Sequence, residues 1–286
     1  MTDKQQTLVY DNLKKLDLNT IISFLSMNPE EMLDALTTFG VQKNTLRHVL
    51  AYRDKSERPF INPWLVALVD ELVRLGLDEK CIGLFYLAST QYNIKHIQYS
   101  VISSNQLDWY TNWPSINNDG ITHVNGSELY DHYQYDLHGE GLTLAFLMTK
   151  GATYGYEWGG ESEQNHAHIV CTSGNAPFSQ NAIFRWNSGN DYPAVLKDED
   201  KQSTTGSYVI NIKGCDLYYR HGNVTLNKKD VIARSYAKFN PALMTYQTLK
   251  NPSNGTMKFY ATFDGRVTTR EADKIHEIIE RYKTLL

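Results

Sequence analysis

Two short stretches of the 286-residue chain place histidines at spacings that chemistry uses. The first is Arg220-His221-Gly222, inside "YYRHGNVTLN". An Arg beside a His suits phosphoryl transfer, with the imidazole as nucleophile and the guanidinium holding the phosphate. That chemistry needs the triplet at the end of the first strand of an α/β sheet. It also needs a second His and an acid much later, to bind phosphate and protonate the leaving group. Only 64 residues follow Gly222, and His276 is the only His among them. Apolar and aromatic residues precede the triplet and "VTLN" follows it. The pattern therefore predicts the tip of a β-hairpin, with Gly222-Asn223 at its turn. We expect no catalytic residue there.

The second stretch is "GESEQNHAHIVCTSG". His166 and His168 stand at i and i+2 of a strand, point to one face and are spaced to share a metal, with Glu161 or Glu163 adding a carboxylate. The spacing from Gly160 resembles the first half of a cupin's metal motif. The Glu which that motif needs about four residues on is replaced by Thr172, Ser173 and Gly174, and the later motif with a third His is missing. We expect plain strand histidines, no metal and no cofactor; the alternative is a site of His166, His168 and Glu163.

Other catalytic patterns are thinner. There is no Gly-x-Ser-x-Gly elbow, P-loop or dinucleotide fingerprint. Glu157, Glu161, Asp191 and Asp216 lie in the strand-rich part, but nothing in the sequence pairs two of them as a glycosidase requires. Cys81, Cys171 and Cys215 form no CxxC pair, which argues against a disulfide framework or a thiolate zinc site. What stands out is loops that mix aromatics with Gly, Asn and Asp, such as "YGYEWGG" and "RWNSGNDY". Tyr154, Tyr156, Trp158, Trp186, Asp191 and Tyr192 are the ligand-binding candidates. Aromatic faces stack on sugar C–H surfaces or anchor protein partners, while carboxylates and amides take hydroxyls.

These residues need a scaffold, and the chain changes character near residue 95. Before it, "NPEEMLDALTTFG" and "NPWLVALVDELVRLG" each carry an Asn cap, Pro at the first helical position and a Gly stop. Helical spacing also marks about 4–15, 19–27, 44–53 and 78–90. After residue 95 the period becomes two, from "HIQYSVI" through "GLTLAFLMTK" and "SYVINIKGCDLYYRH" to "TMKFYATF", with Gly- and Asn-rich turns between. The end, "TTREADKIHEIIERYKTLL", is an amphipathic helix whose apolar stripe is Ile275, Ile278, Ile279 and Tyr282. The fold class expected is α+β: a helical domain (1–95), a linker (96–120) and an antiparallel β-sandwich with a terminal helix (121–286).

The closing stretch "NGTMKFYATFDGRVTTREADKI" resembles the last strand and exit of concanavalin A-like, laminin G-like sandwich domains. Gly255 leads the strand, Phe263-Asp264 and Arg266 make the turn, and Thr268, Thr269 and Glu271 open the helix. "HGEGLTLAFLMTK" is similar to that fold's early core strand. Two departures stand against it: Leu147 or nothing replaces the usual early-strand Trp, and the hairpin reads His-Gly-Asn. The resemblance implies a jelly-roll sandwich that binds glycans or proteins, with some hydrolases and many phage or adhesive proteins among its members.

The balance of 28 basic and 32 acidic residues, −4 net, gives no general pull toward nucleic acid or anionic membrane. No signal peptide and no apolar run long enough to span a membrane is expected, so the setting expected is a virion or the cytoplasm. The sequence reading is a non-enzymatic binding or structural protein, most simply a phage virion component. It docks to other subunits by its helical part, forms an oligomer or assembly, and presents a sandwich to a surface glycan or protein. The alternative is a glycan-active or His-metal enzyme.

Overall fold

Asn28 and Asn62 begin two helices in the same way. The Asn28 side chain accepts from Glu31 N at 3.0 Å and that of Asn62 from Trp64 N at 2.9 Å, with Pro at the next position in both. The computed structural model describes residues 3–57, 61–88, 95–109, 114–123, 129–136, 141–151, 158–161, 166–170, 183–186, 196–197, 205–230, 238–244 and 253–286. Its helices are α1 (Asp3–Gln6), α2 (Leu8–Leu13), α3 (Leu18–Ser26), α4 (Pro29–Thr37), α5 (Lys43–Ser56) and α6 (Pro63–Arg74). After β1 (Cys81–Tyr86) and α7 (Lys95–Gln98) come β2 (Leu107–Trp109), β3 (Ser115–Asn117), β4 (Gly120–Thr122), β5 (Leu129–Asp131) and β6 (Tyr135–Asp136). The middle of the chain forms β7 (Leu142–Lys150), β8 (Trp158–Glu161), β9 (His166–Val170), β10 (Ile183–Trp186) and β11 (Leu196–Lys197). It continues with β12 (Gly206–Lys213), β13 (Asp216–His221), β14 (Val224–Lys228), β15 (Lys238–Phe239), β16 (Ala242–Leu243) and β17 (Thr256–Asp264), and ends in α8 (Thr269–Tyr282).

Among the described residues the strands make two large antiparallel sheets and one two-stranded sheet, β6 with β15. Of the large ones, one runs β14-β13-β12-β7-β17-β4-β3, and β1 pairs with β17 alongside β4, whose ladder pair with β17 is Ile121 with Met257. The other runs β11-β10-β9-β8-β16-β5-β2. Side chains alternate along β7: Leu144, Phe146 and Met148 join the core between the sheets, while Ala145 and Leu147 join the core beneath the helices. The order is therefore helices, sheet, sheet. The expected α+β class with an antiparallel sandwich and a terminal helix is the observed one.

Three local expectations are corrected. Residues 81–86 are strand β1, not helix: Leu84 and Tyr86 enter one core and Phe85 and Leu87 the other. A strand buried on both faces reads as an unbroken apolar run and loses its period of two. Lys95–Gln98 is a helical turn where a strand was expected. The span 96–120, expected as a linker, carries β2, β3 and the start of β4. The helical part and the sandwich share a core, in which Leu65 and Leu68 of α6 belong with Phe259 and Phe263 of β17.

Helix α8 closes that core. Thr268 and Glu271 cap it reciprocally, Glu271 N donating to Thr268 Oγ1 at 3.2 Å and Thr268 N to Glu271 Oε2 at 2.7 Å. Ile275, Ile278, Ile279 and Tyr282 are all buried, as their spacing predicts. The helix lies on β12 and against α6, where Tyr282 donates its hydroxyl to Glu71 Oε1 at 2.9 Å and Arg281 pairs with the same carboxylate. Among the described residues, no helix is long and apolar enough to cross a membrane.

Candidate functional site

Gly206 opens strand β12 with φ of 117°. A Cβ placed there would stand 3.4 Å from Glu280 Oε1 and 3.6 Å from His221 Nε2. Glycine thus leaves room where a carboxylate from α8 and an imidazole from the β13–β14 hairpin approach the same point. The space continues into a cavity of about 380 Å3. Thr149 of β7, Thr205, Gly222 and the Lys283 and Thr284 positions after α8 complete its polar walls.

The hairpin is the one expected from the sequence. His221 pairs with Val224 across Gly222-Asn223, and Gly222 has φ of 54°. His221 is only 4% exposed and stacks on Tyr208 with ring centroids 3.9 Å apart. Its Nε2 donates to the Thr205 carbonyl at 3.2 Å, since a carbonyl only accepts, and this fixes the hydrogen on Nε2. Glu280 is bound on both oxygens. Oε1 accepts from Ser207 N at 2.9 Å and Ser207 Oγ at 2.7 Å, and Oε2 from Lys283 Nζ at 2.6 Å. Burial alone would raise this carboxyl, but the bonds from Lys283 and Ser207 prevail and hold it at about 2.

Behind the cavity wall lies a second polar group. Arg220 Nη1 and the Tyr218 hydroxyl both donate to Asp273 Oδ1. His276, one turn further along α8, is 3% exposed, and neither ring nitrogen has a hydrogen-bond partner. Burial first, and the Arg220 charge second, push its pKa down to about 4. The fold therefore gathers Arg220, His221 and the later His276 at one corner, but on an antiparallel sheet with the two acids already engaged. A carboxylate held ionised does not donate protons at neutral pH. It does accept hydroxyls, as do the threonine side chains around it.

The remaining sequence candidates separate. Trp158 is fully buried in the sandwich core and donates Nε1 to the Tyr260 hydroxyl at 3.2 Å, so its expected ligand role is corrected to a structural one. Its neighbours Gly159 and Gly160 made it read as a loop residue, but it begins β8 and packs between the sheets. Tyr154, Tyr156, Asp191, Tyr192 and Glu163 lie outside the described residues, and Trp186 is described only as the last backbone position of β10. His166 and His168 occupy alternate positions of β9, with Glu161 across from His166, and Gly159 and Arg185 across from His168. Glu280, Lys283, Thr149 and Thr205 were not singled out by sequence; their only flag was His221, which shares their cavity.

No family profile and no curated protein matches the sequence. Solved structures do resemble the fold. A mutant of Trypanosoma rangeli sialidase displaying trans-sialidase activity is similar with a TM-score of 0.50 at 8% identity, over 87% of this chain and 40% of that one. Domain 4 of AbnA, a GH43 extracellular arabinanase from Geobacillus stearothermophilus solved with arabinotriose, has a TM-score of 0.43 at 11% identity, over 69% of this chain and 98% of that one. Bacillus licheniformis β-glucanase has 0.36 at 10%, over 64% and 98%. The likeness to the sialidase is one of fold, an antiparallel β-sandwich.

Proposed function

We propose that the chain is a non-catalytic binding module that takes a small glycan in the cavity between α8 and the β13–β14 turn. The observation that carries this reading is Glu280. Its charge is fixed by Lys283 and Ser207, which suits a hydroxyl acceptor and not a general acid. The cavity, about 380 Å3, lies within the range of small-ligand sites, roughly 300–1,000 Å3. Tyr154, Tyr156, Trp186, Asp191 and Tyr192 remain the ligand-contact candidates of the sequence in this reading. The Tyr-, Asn- and Gly-rich strand region supports a setting in an assembly such as a phage particle, where other subunits are the partners.

The test is calorimetric titration with a panel of neutral and acidic oligosaccharides, alongside an assay for released reducing ends. Binding without release supports the module, provided Thr284→Trp, which plugs an exposed rim position, weakens it about tenfold or more. Release of sugar by the wild type is the result expected of the rival glycan-active enzyme and would overturn the proposal. Binding that ignores Thr284→Trp would move the ligand off this cavity.

A further inference from the structure

The cavity beside Gly206 carries an ion pair on its wall, and that pair has hydrogen-bonding capacity left over. Glu280 and Lys283 both line the cavity, with side chains 24% and 45% exposed. A carboxylate offers about four lone-pair sites, two on each oxygen, and an ammonium offers three N–H donors. Glu280 Oε1 accepts from Ser207 N and from Ser207 Oγ, which fills it. Among the described residues Oε2 accepts only from Lys283 Nζ, so a site on it stays open. Lys283 Nζ spends one N–H on that bond and keeps the others.

A charged acceptor and a charged donor thus stand side by side, 2.6 Å apart. Neighbouring gauche hydroxyls of a sugar ring are separated by about a hydrogen-bond length. One hydroxyl can donate to Oε2 while the next accepts from Nζ, and both bonds are charge-assisted. Charge narrows the ligand further. Glu280 and Lys283 cancel on the wall, and behind it Arg220 is paired with Asp273 in the same way. His221, the remaining ionisable wall residue, commits its Nε2–H to the Thr205 carbonyl. A ligand carboxylate would have to draw Lys283 away and would stand against Glu280, which Ser207 holds in place. A ligand ammonium would meet Lys283. In both cases like charges oppose binding, and specificity comes from that repulsion as much as from the clamp. Resting on the glycan reading above, we propose that the ligand is an uncharged sugar whose vicinal diol is clamped between Glu280 Oε2 and Lys283 Nζ. Acidic and amino sugars are disfavoured in the same place.

Amide NMR titration of the full chain with methyl glycosides tests it. Those of glucose, galactose and mannose are neutral; those of glucuronic acid and glucosamine repeat the glucose ring with a carboxylate or an ammonium. The neutral sugars should shift Gly206, Gly222 and Thr284, with affinities that do not change with salt. The glucuronide and the glucosaminide should bind more weakly, and a fully O-methylated glucoside, which has no hydroxyl to donate, should not bind. Lys283→Met removes the donor at an exposed position beyond the end of α8 and should weaken the neutral sugars about tenfold or more. Lys283→Arg, which keeps a charged donor, should restore much of that loss. A charged glycoside that binds at these amides at least as tightly as the glucoside overturns the proposal and leaves the glycan cavity standing. Neutral sugars that shift the same amides and ignore Lys283→Met do so equally. Shifts with none of the sugars overturn both the clamp and the reading it rests on.

Discussion

Tyr260 on one sheet donates its hydroxyl to Asp131 on the other at 3.2 Å, so a single buried carboxylate ties the sandwich together. Asp131 is fully buried, and burial pushes its carboxyl up. It is met by the Tyr135 hydroxyl at 2.7 Å, Asn105 Nδ2 at 2.7 Å and Tyr133 N at 2.9 Å, while Trp158 Nε1 donates to Tyr260 in turn. Tyr260→Phe keeps the ring and removes both the acceptor of the Trp158 Nε1 bond and a donor to Asp131. It should cost about 1–3 kcal/mol. Asp131→Ala, which orphans several donors at once, should cost about 3 kcal/mol or more. Urea unfolding of both variants measures this, and two near-neutral values would remove the network from the account.

Helix α8 should be indispensable. Its four apolar side chains and the Glu71 contacts join α6 to the first sheet, and burying such side chains is worth roughly 5–8 kcal/mol before entropy. That is of the order of a domain's net stability. Deleting 272–286 should abolish folding, and Glu71→Ala, which strands Arg281 and Tyr282, should cost about 3 kcal/mol. Thermal melts decide: a truncated chain that melts like the full one contradicts the shared core.

His276 should make the fold acid-sensitive. The unfolded chain takes up a proton on this imidazole below about 6.5, the folded one only near 4, so stability falls as pH drops through that window. Arg220 and His221 oppose the imidazolium; Glu280 and Asp273 favour it but do not prevail. His276→Leu should flatten the stability profile between pH 6.5 and 5 and be more stable than wild type at the lower end. Parallel profiles for the two proteins would contradict this. Glu280 acts lower: its depressed carboxyl stabilises the fold above about 4.5, and that contribution is lost as pH falls toward 2.

The helix starts at Asn28 and Asn62, the hairpin turn at Gly222 and the stripe of α8 were readable because each is specified within a few neighbouring residues. Strand β1 was not, since "CIGLFYLA" satisfies either period when both faces are buried. Trp158 misled because loop-like glycines adjoin a side chain whose partner, Tyr260, is about a hundred positions away. The cavity was invisible for the same reason. Its parts come from β7, β12, the hairpin and α8: the register of β12 against β13 sets Gly206 near His221, and the packing of α8 on β12 brings Glu280 to them.

The most direct measurement is a two-dimensional amide NMR titration of the labelled protein with the oligosaccharide panel. The account predicts that the largest shifts cluster at Thr149, Thr205, Gly206, Gly222 and Thr284, and that Glu280→Gln reduces them. Shifts confined elsewhere, or none at millimolar sugar, would contradict it.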